Sequence, residues 1–217
     1  MSLKNDIENL KAKFLPQVPE KIKASMQEAE DVLRGSHLAE RALGTGDDAV
    51  DFALPNAKGD MVSSAALRRD GPIVLSFYRG GWCPYCSLEL KALQEVNDEI
   101  KALGASLVAI SPELPDETLS TAEKNDLEFE VLSDTDNKVA DQYGLSFSLA
   151  EDLRPIYKNW GADVATVNDD PDCKLPLPAT YVIGQDGKIV HSFTDEDYTA
   201  RLEPDEILES LRELRKT

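Results

Sequence analysis

The sequence predicts an α/β fold, a mixed central sheet flanked by helices, with a helical extension in front of it. Three observations predict it. Residues 73–78 are a short apolar run with β-branched members, as a strand buried on both faces requires. Leu93, Val96, Ile100 and Leu103 then recur at steps of three, four and three, which marks one face of a helix. Gln185, Asp186 and Gly187 separate two further apolar runs and signal a hairpin. Parallel crossovers followed by an antiparallel pair make a mixed sheet.

The elements follow in order. Residues 1–45 form the extension. Ile7, Leu10 and Phe14, then Ile22, Met26, Ala29 and Leu33, keep helical spacing, and Pro16 and Pro19 divide them into two helices. This reads as a helical cap that covers core or a homodimer surface. Residues 46–217 form the α/β unit. After the strand at 73–78 comes the loop Arg79-Gly80-Gly81, then the helix carrying Leu93, which Gly104 stops. Residues 107–110 are a second buried strand, 116–125 a helix and 130–132 a short strand. Asp136 is placed to cap a helix that runs to Tyr143 and ends at Gly144. Residues 145–176 read as an insertion, with a helix predicted over 149–157. Strands at 180–183 and 188–191 make the hairpin, and Pro204 opens a final helix.

Of 217 residues, 23 are basic and 41 acidic, a net charge of −18. Such a surface repels phosphate backbones and anionic lipid headgroups, which argues against nucleic acid and membrane partners. No apolar run approaches the roughly 20 residues of a membrane span. Residues 1–6 carry neither a basic n-region nor a cleavage site, so the expected location is the cytoplasm. The three cysteines, Cys83, Cys86 and Cys173, do not describe a disulfide scaffold, and a close pair in a reducing compartment is redox-active or metal-binding.

Trp82-Cys83-Pro84-Tyr85-Cys86 lies between a strand and a helix, which puts both sulfurs on a helical first turn. Unpaired N–H groups and the positive end of the dipole stabilise thiolate there, the species that attacks disulfides and peroxides. Pro84 suits the first helical position. Arg79 either adds positive charge or is a solvated loop residue. Trp82 and Tyr85 either shield the site or simply pack. A structural zinc would need two more ligands, and only Cys173, His37 and His191 remain, scattered along the chain. No metal or cofactor is expected, and neither histidine is assigned a role. A second signal is the segment 177–183, in which Pro178 precedes Thr180 and a core strand. A proline there can be cis and leave backbone open to a substrate, or it can serve only as a rigid start to the strand.

Residues 46–54, 73–78, 105–111 and 132–134, with Val139-Ala140 and Tyr143-Gly144, resemble the AhpC/TSA peroxiredoxin group. The resemblance implies a thioredoxin-like fold and reduction of peroxides by a peroxidatic cysteine. Two departures stand out. The family pattern PxxxTxxC, laid on residues 79–86, puts Arg79 at the proline, Cys83 at the threonine and Cys86 at the peroxidatic cysteine. Where the family carries a distant arginine before the hairpin strand, this chain has Pro178-Ala179-Thr180-Tyr181, similar to the cis-proline segment of thioredoxins.

The expectation is a thiol-dependent peroxide reductase that cycles through a Cys83–Cys86 disulfide, with Arg79, Trp82, Pro84, Tyr85, Pro178 and Thr180 in support. An external thiol of a thioredoxin or glutathione system would reduce it. In that mechanism Cys86 attacks the peroxide and Cys83 condenses with the sulfenic acid. In the alternative, a thioredoxin-like oxidoreductase acting on protein disulfides, Cys83 attacks and Cys86 resolves. A third reading is a non-catalytic binding module. Cys173 is either a remote resolving thiol or a plain free one.

Overall fold

A computed structural model describes residues 2–216; Met1 and Thr217, at the outer ends of the extension and of the α/β unit, lie outside the described residues. The chain begins with α1 (Leu3–Phe14), whose first turn is capped by the Ser2 hydroxyl. A 3₁₀ turn carrying Pro16 ends it, and Pro19 leads into α2 (Glu20–Gly35), so the prolines divide the helices as expected. A single turn, α3 (Leu38–Arg41), completes the extension. Then follow the small hairpin β1 (Ala53–Pro55) and β2 (Met61–Ser63), α4 (Ser64–Asp70), β3 (Ile73–Phe77), α5 (Pro84–Glu95) and α6 (Asn97–Ala102). Next come β4 (Ser106–Ser111), α7 (Pro115–Lys124), β5 (Glu130–Ser133) and α8 (Lys138–Gln142). Residues 145–176 contain β6 (Ser146–Ser148), α9 (Arg154–Asn159), α10 (Val164–Val167) and β7 (Lys174–Pro176). The chain closes with β8 (Ala179–Ile183), β9 (Ile189–Thr194) and α11 (Pro204–Leu214).

The central sheet has the order β5-β4-β3-β8-β9. β3 pairs parallel with β4, and β4 with β5, while β8 runs antiparallel to both β3 and β9. It is the mixed sheet the sequence predicts, with the hairpin turned at Gly184–Gly187, where Gly187 takes a φ of 86°.

The two-residue period of β3 sorts its side chains onto two faces. Ile73, Leu75 and Phe77 join Ile110, Tyr143 and Tyr181 in one core. Val74 joins Leu93, Ile100, Val182, Leu208 and Leu211 in the other, under α5, α6 and α11. Both sets are essentially inaccessible to solvent, and at about 25 cal/mol per Å² their burial is the main force holding helices to sheet. A third cluster contains Leu3 and Ile7 of α1, Leu90 of α5, and Tyr78, Cys83, Tyr85 and Cys86. The extension is thus part of the wall around the cysteines.

Three local expectations are corrected. The capping of α8 comes from Asp134, whose carboxylate accepts from the N–H groups of Val139 and Ala140; Asp136 sits at a φ of 69° and pairs with Lys138 instead. The helix expected over 149–157 begins later, as a 3₁₀ turn at Glu151–Leu153 followed by α9, because Pro155 suits a first turn and not a helix interior. No peptide bond among the described residues is cis, so the bond before Pro178 is trans and the segment 177–183 is a plain, buried start to β8. Among the described residues no helix is long and apolar enough to cross a membrane.

Candidate active site

β3 delivers the chain to the site. Tyr78 and Arg79 leave its C-terminal end fully buried, and Gly80 and Gly81 turn the backbone toward α5. Both glycines are required. Gly80 has a φ of 148°, and a Cβ there would stand 2.3 Å from Trp82 Nε1. A Cβ on Gly81 would stand 2.0 Å from Thr121 Oγ1. The Gly81 N–H donates to both carboxylate oxygens of Glu113, each at 3.0 Å, which fixes the turn from behind.

Cys83 is the N-cap residue of α5 and Pro84 its first residue, so the sulfur stands at the end of the helix where N–H groups have no partner within the helix. Cys83 lines a pocket of about 240 Å³. Arg79, Trp82, Pro84 and Tyr85 from its own segment share the lining, with Tyr157, Trp160 and Tyr198 from distant ones. Cys86, one turn on, is fully inaccessible and does not line that pocket. Both are free thiols.

The electrostatics of the two sulfurs diverge. The Cys83 thiol is drawn down to about 6, first by a hydrogen bond from the Cys86 thiol, against the cost of burial, then by the charges of Arg79 and Arg201. Burial pushes the Cys86 thiol well up, and the neighbouring Cys83 thiolate pushes it further. The thiolate therefore rests on Cys83, at the pocket, with the protonated partner beneath it.

Two buried arginines supply the positive charge. Arg79 is not a solvated loop residue. Its guanidinium lies 5.1, 5.4 and 4.6 Å from the ring centroids of Trp82, Tyr157 and Tyr198, and its Nη2 donates to the Tyr157 hydroxyl at 3.2 Å. A cage of ring faces holds the cation in place of a carboxylate. Arg79 Nε and Trp82 Nε1 are buried N–H donors with no hydrogen-bond partner. Arg201, from the loop between β9 and α11, donates through Nη2 to Cys86 Sγ at 3.3 Å and through Nη1 to the carbonyls of Tyr198 and Ala200. Its Nε forms a buried ion pair with Glu89. Glu89 also accepts from Thr180 Oγ1 at 3.3 Å, so Thr180 reaches the site through a carboxylate. Burial raises the Glu89 carboxyl to about 7 against the pull of Arg201. Burial likewise raises Glu113 to about 7.

Glu89, Glu113, Tyr157, Tyr198 and Arg201 escape the sequence reading. Only Glu89 carried a usable signal, since it lies three residues after Cys86 and helical spacing puts the two on one face. Cys173 belongs to a separate cluster with Leu149, Leu153 and Leu175, and its sulfur faces the Pro171 carbonyl at 3.9 Å. Among the described residues no three His, Cys, Asp or Glu side chains converge as metal ligands would.

The comparisons with known proteins agree with the architecture. The crystal structure of peroxidoxin BcpB from Mycobacterium tuberculosis superposes with a TM-score of 0.64 at 27% identity, covering 79% of this chain and 97% of that one. Peroxiredoxin Bcp of Escherichia coli strain K12 is 29% identical over 153 residues, 70% of this chain and 86% of its own length. The thiol-disulfide oxidoreductase ResA of Halalkalibacterium halodurans is 28% identical over 157 residues, 72% of each chain. The family model described as AhpC/TSA matches residues 45–192, and the chain belongs to the AhpC/TSA family.

Proposed function

We propose that the protein is a thiol-dependent peroxide reductase in which the Cys83 thiolate attacks the peroxide. The O–O bond breaks, the alcohol or water leaves with a proton, and Cys83 becomes a sulfenic acid. The Cys86 thiol then attacks the Cys83 sulfur, releasing water and forming the Cys83–Cys86 disulfide. Two equivalents of an external thiol, of a thioredoxin or glutathione system, restore both thiols and leave as a disulfide. The reducing thiol pools of the cytoplasm suit that cycle.

One observation carries the reading: Cys83 lines a small aromatic pocket and is only 1% exposed. Such a pocket admits a peroxide and excludes the surface of a folded protein. Arg79 and Trp82 both line the pocket and carry N–H groups, Arg79 Nε and Trp82 Nε1, that have no hydrogen-bond partner, and donors of that kind stabilise charge that develops on oxygen. The order of attack is the reverse of that expected from the PxxxTxxC pattern, and the reason is physical: Cys86 is buried away from the pocket and held protonated.

A second assignment has its own observation. Arg201 contacts Cys86 and not Cys83 by hydrogen bond, which favours attack by Cys86 once a substrate has entered. Cys83→Ser and Cys86→Ser, each treated with peroxide and a sulfenic-acid trap, separate the two by mass spectrometry. Trapped sulfenate at Cys83 in Cys86→Ser supports the proposal. Sulfenate at Cys86 in Cys83→Ser supports the second assignment. No peroxide reactivity in either, with mixed disulfides at Cys83, returns the chain to a protein-disulfide oxidoreductase. Thiols inert to alkylation at neutral pH would indicate a binding module.

A further inference from the structure

The turn that presents Cys83 contains two glycines and is held by one carboxylate. The Cys83 N–H donates to the Gly80 carbonyl at 3.1 Å, so Gly81 and Trp82 are the middle residues of a tight turn between β3 and α5. The Gly81 N–H goes to Glu113, both of whose oxygens accept it at 3.0 Å. A Cβ on Gly80 would stand 2.9 Å from Glu113 Oε1, so the carboxylate packs against both glycines. Glu113 is itself firmly based. It follows β4, the strand beside β3, between Pro112 and Pro115, and the N–H of the next residue, Leu114, donates to the Val167 carbonyl at 3.0 Å.

The setting is costly for a charge. Glu113 is 2% exposed, and among the described residues it pairs with no lysine, arginine or histidine. Besides the Gly81 N–H, the Ser111 hydroxyl reaches it at 3.5 Å. The ionisable groups that face it are Glu117 of α7, Cys86 of α5 and Tyr78 at the end of β3, and a negative charge on any of them opposes its ionisation. Burial, more than these neighbours, brings the carboxyl to about 7, so both of its forms are populated near neutrality. The two forms do not hold the turn alike. An N–H bond to a carboxylate is roughly twice as strong as one between neutral groups. A proton on either oxygen makes that oxygen a donor facing another donor, the Gly81 N–H.

We propose that Glu113 is a positioning residue for the peroxide reaction: its ionised carboxylate holds the Gly80-Gly81 turn so that Cys83 meets the peroxide, and a proton on that carboxylate loosens the turn. The effect on rate rests on the peroxide-reductase reading, and the clamp rests on the geometry of Gly81 and Glu113. The site thus carries a proton-operated control separate from the ionisation of its thiols.

Two measurements test it. The first divides kcat/KM for hydrogen peroxide by the thiolate fraction, taken from iodoacetamide alkylation at the same pH. For a carboxyl at about 7 the ionised share drops about tenfold from pH 8 to pH 6, and the quotient is expected to fall with it in the wild type. Glu113→Gln keeps an oxygen that accepts from Gly81 but cannot change charge, and the fall is expected to shrink by about threefold or more. Glu89, also at about 7, is present in both proteins, so only the difference between them reports on Glu113. A quotient that is flat in the wild type, or that falls equally in Glu113→Gln, overturns the proposal. The second measurement follows the Gly81 amide proton by NMR in the Cys83→Ser, Cys86→Ser double variant, in which neither thiol of the pair titrates. Its resonance is expected to move with a midpoint near pH 7 and to stop moving when Glu113→Gln is added. A resonance that does not titrate, or that titrates without Glu113, overturns the clamp. Because the second measurement needs no turnover, a titrating Gly81 in a protein that consumes no peroxide refutes the reductase reading alone.

Discussion

Arg201 lies 115 residues beyond Cys86, yet its Nη2 stands 3.3 Å from that sulfur while its Nε holds Glu89. Both members of the ion pair are almost fully excluded from solvent, so removal of one strands the other. Arg201→Met is expected to destabilise the fold by about 3–5 kcal/mol, the usual cost of an uncompensated buried charge. Arg201→Met combined with Glu89→Leu should recover part of that loss, and urea denaturation of the singles and the double measures it.

Cys83 should titrate near neutrality. Its thiol is held at about 6 in the fold against an ordinary value of 9.0. A depressed thiol contributes stability that is fully present above the unfolded value and is lost as pH falls through the folded one. The window is therefore pH 9 down to 6. Alkylation by iodoacetamide is expected to rise through a midpoint near pH 6 in the wild type. A midpoint near 9 would refute the assignment of the thiolate to Cys83.

Arg79 contributes to that midpoint through its charge and its position. Arg79→Ala should move it upward by about one pH unit, the low end of the effect of a neighbouring opposite charge. Arg79→Lys keeps the charge but loses the planar stacking on Trp82, Tyr157 and Tyr198 and the fixed geometry toward Tyr157. It should retain more of the low midpoint than Arg79→Ala while slowing peroxide consumption in stopped-flow assays.

Gly81→Ala should disrupt the turn that presents Cys83. The new methyl group would overlap Thr121 Oγ1, whose helix α7 is itself packed on β5. Overpacking of this kind costs about 1–3 kcal/mol. Thr121→Ala added to Gly81→Ala removes the two atoms at 2.0 and 3.2 Å and leaves the Cβ at 3.0 Å. Partial recovery of the melting temperature is the expected result, and full recovery would show that the turn tolerates the change by itself.

Much of the fold was legible because its signals are local. The apolar run of β3, the helical spacing of α5 and α6, the two prolines after α1 and the Gly187 hairpin each act within a few residues. The cysteine pair was legible for the same reason, and Arg79, Trp82 and Tyr85 lie close enough in the chain to be named with it. Arg201, Tyr157 and Tyr198 were not, because loops and the segment 145–176 bring them to the cysteines, and no periodic pattern marks a loop residue that folds inward. Arg79 shows the same gap from the other side: its position was readable, and its burial inside three aromatic rings was not. Pro178 held a sequence signal that the backbone does not use in the expected way, since its bond is trans. Asp134 and Asp136 both offer a capping carboxylate two residues apart, and only the three-dimensional path of the backbone decides between them.

The placement of Arg201 between β9 and α11 has a consequence for the birth of the protein. At about 5–20 residues per second, a ribosome needs roughly 6 to 23 s to travel from Cys86 to Arg201. Glu203, whose carboxylate receives the N–H groups of Leu3 and Lys4, follows two residues later. During that interval the nascent chain carries both thiols without one of their two guanidiniums and without the clasp on its first helix. The full electrostatic setting of the cysteines is therefore completed only when the last elements of the chain fold onto the first.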